Sequence, residues 1–197
     1  VVIAVILTSI ILALTMDSFL IPLFFMLSVG MAIVYNMGTN FIQGEISFIT
    51  EALAAVLQLA VTIDYSIFLW HSYKEEKEKH PGDNKEAMAV AIGKTITSVV
   101  SSSITTVAGF LALCFMSYEL GMDMGIVMAK GVVIGVICCI TVLPSMILVF
   151  DKALEKTMHK DLVPSLEKPS KFIIKHHAAF IVLFIVVLIP AVYGQIN

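Results

Sequence analysis

The sequence predicts an all-α fold, a polytopic bundle of membrane-crossing helices, and three observations carry that expectation. Hydrophobic residues make up 59% of the 197 residues, mean hydropathy is +0.98, and only 14% of residues are charged; a single soluble core of this size could not hide so much apolar surface. The apolar residues form runs close to the ~20 residues that a helix needs to cross a bilayer. The charges lie mostly between those runs. The net charge of −3 matters less than this placement, and the 12 basic residues are all Lys. Without guanidinium forks, a nucleic-acid-binding role is disfavoured.

Six spans follow in order: 1–14, 19–37, 48–70, 92–116, 124–150 and 172–193. The first is truncated, because 14 residues rise only about 21 Å as a helix against a hydrocarbon core of roughly 30 Å. No basic leader or cleavage site accompanies it, so it reads as a helix cut by the start of the chain, and the chain as an internal fragment. The expected organisation is a transmembrane bundle over 1–150, a cytoplasmic connector over 151–171, a further transmembrane helix over 172–193, and the start of an outer segment at 194–197. Within the connector, Leu154, Met158 and Leu162 recur at steps of four among lysines. That pattern fits a helix lying in the interface as well as a solvated connector broken at Pro164.

Lysines set the orientation. Residues 71–86 carry Lys74, Lys77, Lys79 and Lys85, and 151–171 carry Lys152, Lys156, Lys160, Lys168 and Lys171, while 36–47 and 117–123 have none. The positive-inside rule puts the two lysine-bearing connections in the cytoplasm of a multi-pass plasma-membrane protein. The first of them, with Pro81 and Gly82, reads as a hydrophilic turn.

Asp64 and Tyr65 stand near the middle of the third span. A carboxylate at such a depth costs roughly 2.5–3.5 kcal/mol on insertion scales, so it is a candidate for proton or ion handling. Glu51, Gln58, Thr62 and Tyr65 draw one polar stripe down the helix, and Asp64 projects about 100° round from Tyr65. An acid held in low dielectric is expected to exchange a proton with its surroundings. The alternative is a neutral Asp acting as polar glue between helices.

On the fourth span, Ser98, Ser102 and Thr106 repeat at four, as do Ser101, Thr105 and Gly109. Small residues at that step let helices approach closely, and their hydroxyls are also suited to a relay. The fifth span repeats the device with Gly121 and Gly125, then Gly131 and Gly135, before Pro144 breaks its bonding ladder and predicts a kink. Lys130 either snorkels outward or provides a counter-charge, and for Lys94 snorkelling suffices.

Enzyme signals are weak, and no cofactor or metal is expected. Ser165 to Lys168 spells S-x-x-K without companion motifs, and P-loop, H-E-x-x-H and G-x-S-x-G patterns are absent. Cys114, Cys138 and Cys139 read as small buried hydrophobes, and His176 and His177 as interfacial residues rather than metal ligands.

Three motifs on successive spans carry a resemblance. Thr62-Ile63-Asp64-Tyr65-Ser66-Ile67-Phe68-Leu69, then Ser102-Ser103-Ile104-Thr105-Thr106-Val107-Ala108-Gly109-Phe110, then Thr141-Val142-Leu143-Pro144 resemble the MMPL branch of the RND superfamily of exporters over most of the chain. Departures are His71, where many relatives have a basic residue, and Met124-Gly125, where F-G is common; these leave the subfamily open. The resemblance implies helices two to seven of a twelve-helix transporter, similar in arrangement to a sterol-sensing domain. It implies that Asp64 carries the proton with Tyr65 as its hydrogen-bonding companion, against a matching pair in the missing second half. Hydrophobic substrate would be bound mainly by outer domains absent from this chain.

The expected function is therefore a proton-driven secondary exporter of lipids or other hydrophobic molecules, not an enzyme, working among membrane lipids and able to form an oligomer. Two alternatives stand beside it: a non-transporting membrane sensor or scaffold, and a SecDF-type accessory of protein export.

Overall fold

A computed structural model describes residues 1–42, 46–116, 119–158 and 167–196. The chain divides into two compact units, 1–160 and 161–197. In the first, α1 (Val2–Thr15), α2 (Leu20–Gly38), α3 (Phe48–Lys79), α4 (Asn84–Leu113), α5 (Glu119–Val149) and the short α6 (Asp151–Thr157) follow one another, with a 3₁₀ turn at Thr39–Ile42. The second holds α7 (Glu167–Lys175) and α8 (His177–Ile196). Among the described residues, five helices are long and apolar enough to cross a membrane: those containing Leu20–Phe41, Phe48–Lys79, Asn84–Leu113, Leu120–Val149 and His177–Gly194. A polytopic helical bundle is therefore the architecture of the chain. In hydrocarbon this follows from the backbone, whose polar groups a helix satisfies internally.

Several boundaries differ from the hydropathy reading. The lysine-bearing connection expected at 71–86 is largely helical, because α3 and α4 run past their apolar segments and leave only residues 80–83 between them. Hydropathy marks where lipid ends, whereas a helix goes on while its charged side chains find partners. Gly82, at φ +91°, makes the turn, and Asp83 caps α4 by accepting a hydrogen bond from the Glu86 backbone N–H at 3.0 Å. The last span is interrupted at His176, between α7 and α8. α5 passes through Pro144 and continues to Val149.

α5 is the central helix of the first unit, packing on α2, α3 and α4. Lipid tails are as apolar as leucine, so packing and polar contacts rather than a hydrophobic driving force hold such helices together. Glycines set the closest approaches. A Cβ at Gly125 would stand 2.7 Å from the Phe110 carbonyl oxygen of α4, and one at Gly131 would stand 2.6 Å from Asn36 Nδ2 of α2. A Cβ at Gly135 would run into Thr62 Oγ1 of α3. Gly109, expected to pack, is exposed and has open space where a Cβ would be, because its side of α4 meets no helix within the described residues.

The lysine-bearing end is tied by ion pairs around three buried carboxylates, Asp17, Glu76 and Asp151. Asp151 accepts hydrogen bonds from the Tyr73 hydroxyl at 3.1 Å, Lys77 Nζ at 2.6 Å and Asn84 Nδ2 at 2.5 Å. Glu76 accepts from Lys79 at 2.9 Å and from Lys94 at 2.6 Å, so Lys94 bridges α3 and α4 where snorkelling alone was expected. Lys74 pairs with Asp17 between α1 and α2, and Ser18 Oγ meets Thr157 Oγ1 at 2.7 Å. These contacts fasten α6 to the bundle. Leu154, one of the three residues that suggested an interfacial helix, is buried in the core; Met158 is exposed; Leu162 and Pro164 lie outside the described residues.

Two substitutions test this packing. Gly125→Ala sets a methyl against an immovable backbone oxygen and is expected to lower stability by about 1–3 kcal/mol, whereas Gly109→Ala is expected to leave it unchanged or raise it by up to about 1 kcal/mol; thermal unfolding in detergent separates them. Asp151→Ala strands Tyr73 and Asn84 and takes one of two carboxylate partners from Lys77, which keeps Glu155, and the same measurement is expected to show a loss of about 1.5–3 kcal/mol.

Candidate functional site

Asp64 does not lie on the polar stripe of α3. Gln58, Thr62 and Tyr65 are 3%, 1% and 8% exposed and face the bundle. Asp64, one residue from Tyr65 and so about 100° round the helix, is exposed on the outer side. Asp64 thus looks out of this bundle, and Tyr65 looks in. Glu51, the first member of the stripe, is also exposed.

The neighbouring helix shows a similar outward face. Ser98, Ser101, Ser102 and Thr105 are exposed, Thr106 is half-buried, and on the inner side Thr95 and Ser103 are buried. Thr105 and Thr106 return their hydroxyls to their own helix, donating to the carbonyls of Ser101 at 3.2 Å and Ser102 at 3.0 Å. α3 and α4 run antiparallel, joined by a short turn and clamped where Lys94 meets Glu76. Counting equal numbers of residues from the turn at 80–83 along each helix sets Asp64 level with about Val99, among Ser98, Ser101 and Ser102. An acid and a row of hydroxyls thus share one level on the outside of the α3 and α4 pair. Beside them, an apolar groove of about 410 Å³ runs between α4 and α5, lined by Val100, Ile104, Leu111, Val133 and Ile137 among others.

The other singled-out positions are dispersed. Gly125, Gly131, Gly135 and Pro144 belong to α5 and are buried. Lys130 donates to Asn40 Oδ1 at 2.5 Å, at the end of the bundle away from the ion pairs. Cys138 and Cys139 are buried and Cys114 is half-buried, all as free thiols. The His176 and His177 rings each approach a backbone carbonyl of α7, at 3.1 and 3.0 Å. Ser165 of the S-x-x-K match lies outside the described residues.

Sequence reasoning missed Asn36, which is fully buried and donates from Nδ2 to Gln58 Oε1 at 2.9 Å and to the Val127 carbonyl at 3.2 Å. Its signal was present, since Ser28 and Asn36 stand eight residues apart on one face of an otherwise apolar helix.

Comparison with known proteins points the same way as these motifs. The sequence profile of the MMPL family matches residues 1–163. The chain is 30% identical over 147 residues to the membrane protein ActII-3 of Streptomyces coelicolor, covering 72% of this chain and 20% of that protein. It is 35% identical over 96 residues to a membrane protein of Methanocaldococcus jannaschii, covering 49% of this chain and 24% of the other. With the membrane protein YdfJ of Bacillus subtilis it shares 24% identity across 100% of this chain and 28% of that protein. The chain therefore spans between a fifth and somewhat over a quarter of the length of these relatives. From the profile match over most of its length and from its apolar helices, this chain belongs to the MMPL family of the RND superfamily and is a multi-pass membrane protein.

Proposed function

We propose that the chain is the proton-coupling half of the membrane domain of a proton-driven exporter of lipids or other hydrophobic molecules, with Asp64 as the proton carrier. The observation that carries this reading is the outward position of Asp64 at the level of the α4 hydroxyls. A carboxylate left facing lipid at that depth costs roughly 2.5–3.5 kcal/mol, so the face needs a protein partner. A second helical half is a partner of the right kind, and relatives about four times the length of this chain have room for one.

In this reading Asp64 and the outer hydroxyls of α4 meet that half, and Ser98, Ser102, Thr105 and Thr106 are relay or contact positions on the same surface. Tyr65 packs inward and holds the helix in register instead of donating directly to Asp64. The lysine-bearing connections lie in the cytoplasm of a cell-membrane protein. Moving one charge through the membrane field is worth about 2.3 kcal/mol per 100 mV, enough to bias a conformational cycle as Asp64 gains and loses its proton. Enzymatic chemistry has no part in it. Substrate is bound by outer domains beyond this chain.

The decisive measurement is export by the complete protein in vesicles under an imposed pH gradient. Asp64→Asn is expected to abolish proton-dependent export while leaving the protein folded and inserted, and Asp64→Glu to retain part of it. Normal gradient-driven export by Asp64→Asn overturns the proposal and favours a sensor or scaffold.

A further inference from the structure

The side of α3 turned away from Asp64 carries a second polar feature, at the junction of α2, α3 and α5. Asn36 bonds to Gln58 and to the Val127 carbonyl. One turn further along, Thr62 lies against Gly135, as Asn36 and Gln58 lie against Gly131. α2 runs antiparallel to α3, so eight residues onward from that bond Ser28 arrives level with Ser66. At the opposite end Thr50 faces inward, two turns before Gln58.

Most of these groups are buried without a partner. Among the described residues, six buried side-chain polar atoms lack one, and five of the six lie in this seam: Ser28 Oγ, Asn36 Oδ1, Thr50 Oγ1, Gln58 Nε2 and Thr62 Oγ1. Their residues are all 3% exposed or less. Buried polar atoms are bonded to protein or ordered water in the great majority of cases, so five orphans along one line call for a common ligand.

Chemistry identifies it. The Val127 carbonyl can only accept, so Asn36 must offer its Nδ2, and Gln58 must then offer Oε1 to the same amide. The ends left bare are therefore an acceptor, Asn36 Oδ1, and a donor, Gln58 Nε2. A cation would be repelled by that donor and would find no carboxylate among the five. Water accepts from one and donates to the other, and the Ser and Thr hydroxyls can take either role. Gln58 and Thr62 are one turn apart, about 6 Å, close to what one bridging molecule spans with two hydrogen bonds of about 2.8 Å.

We propose that the seam between α2, α3 and α5 is a binding site for ordered water, a buried file held by Asn36 Oδ1, Gln58 Nε2 and Thr62 Oγ1 and extended by Ser28 and Thr50. It is separate from the outward face that carries Asp64 and does not rest on the transport reading. The same helix thus has a hydrated inner edge and an acidic outer one.

Opposite signs separate a wet seam from a dry one. In the whole protein in lipid nanodiscs, Ser28→Ala and Thr62→Val each deprive a bound water of a partner and are expected to lower the melting temperature. In a dry seam each would delete an unsatisfied hydroxyl, and a rise in melting temperature for both overturns the proposal. A cryo-electron microscopy map fine enough to show ordered water decides the matter even if a variant fails to fold. Density within hydrogen-bond distance of Asn36 Oδ1, Gln58 Nε2 and Thr62 Oγ1 is expected, and a map in which these atoms have no water between them overturns it.

Discussion

The close approach of α5 to α2 and α3 is the contact on which the rest of the bundle depends. Gly131 and Gly135 make it possible by leaving room for Asn36, Gln58 and Thr62 where side chains of α5 would otherwise stand. The central helix can therefore contact three neighbours at once. In a membrane, where apolar surface supplies no preference for protein over lipid, this exchange of side-chain bulk for backbone proximity and polar contact fixes which helices are neighbours. It also turns a polar edge of α3 towards the interior, and that leaves Asp64 on the other side.

The division of α3 into two polar edges changes what its adjacent acid and phenol can do. Side chains 100° apart cannot serve one partner when a core lies on one side and open surface on the other. Tyr65 is part of the hydrophobic core, with Leu59, Ile63 and Leu69. Asp64 belongs to a surface shared with the hydroxyls of α4. On α4 that surface carries small hydroxyl side chains, Ser98, Ser101, Ser102 and Thr105, beside exposed Val100 and Ile104.

The two ends of the first unit are built differently. At one end, three carboxylates and their lysine, tyrosine and asparagine partners lock the ends of α3 and α4 and the short α6 together. The charges are closely paired, which offsets the cost of burying them. At the other end, the polar contact among the described residues that involves a charged group is Lys130 with Asn40. Charged contacts are thus concentrated at the lysine-bearing end. The inner seam runs from there towards the other.

By itself, the sequence determined that the chain crosses a membrane several times as helices, that its family is MMPL, and that Asp64 is the unusual charge. Those features are local: run length, composition and short motifs do not depend on which helix touches which. It also carried the step of four in the glycines of α5, but only the tertiary structure decided that Gly131 and Gly135 receive side chains while Gly109 faces open space. Spacing marks a small face and says nothing about what covers it. The ion pairs that extend α3 and α4 past their apolar runs join residues such as Asp151 and Lys77, 74 apart in the chain, beyond the reach of any periodicity. Likewise, the hydrogen bond from Asn36 to Gln58 made an inner edge of what had read as a single polar stripe. Packing, not spacing, chose the side of α3 from which Asp64 faces outward.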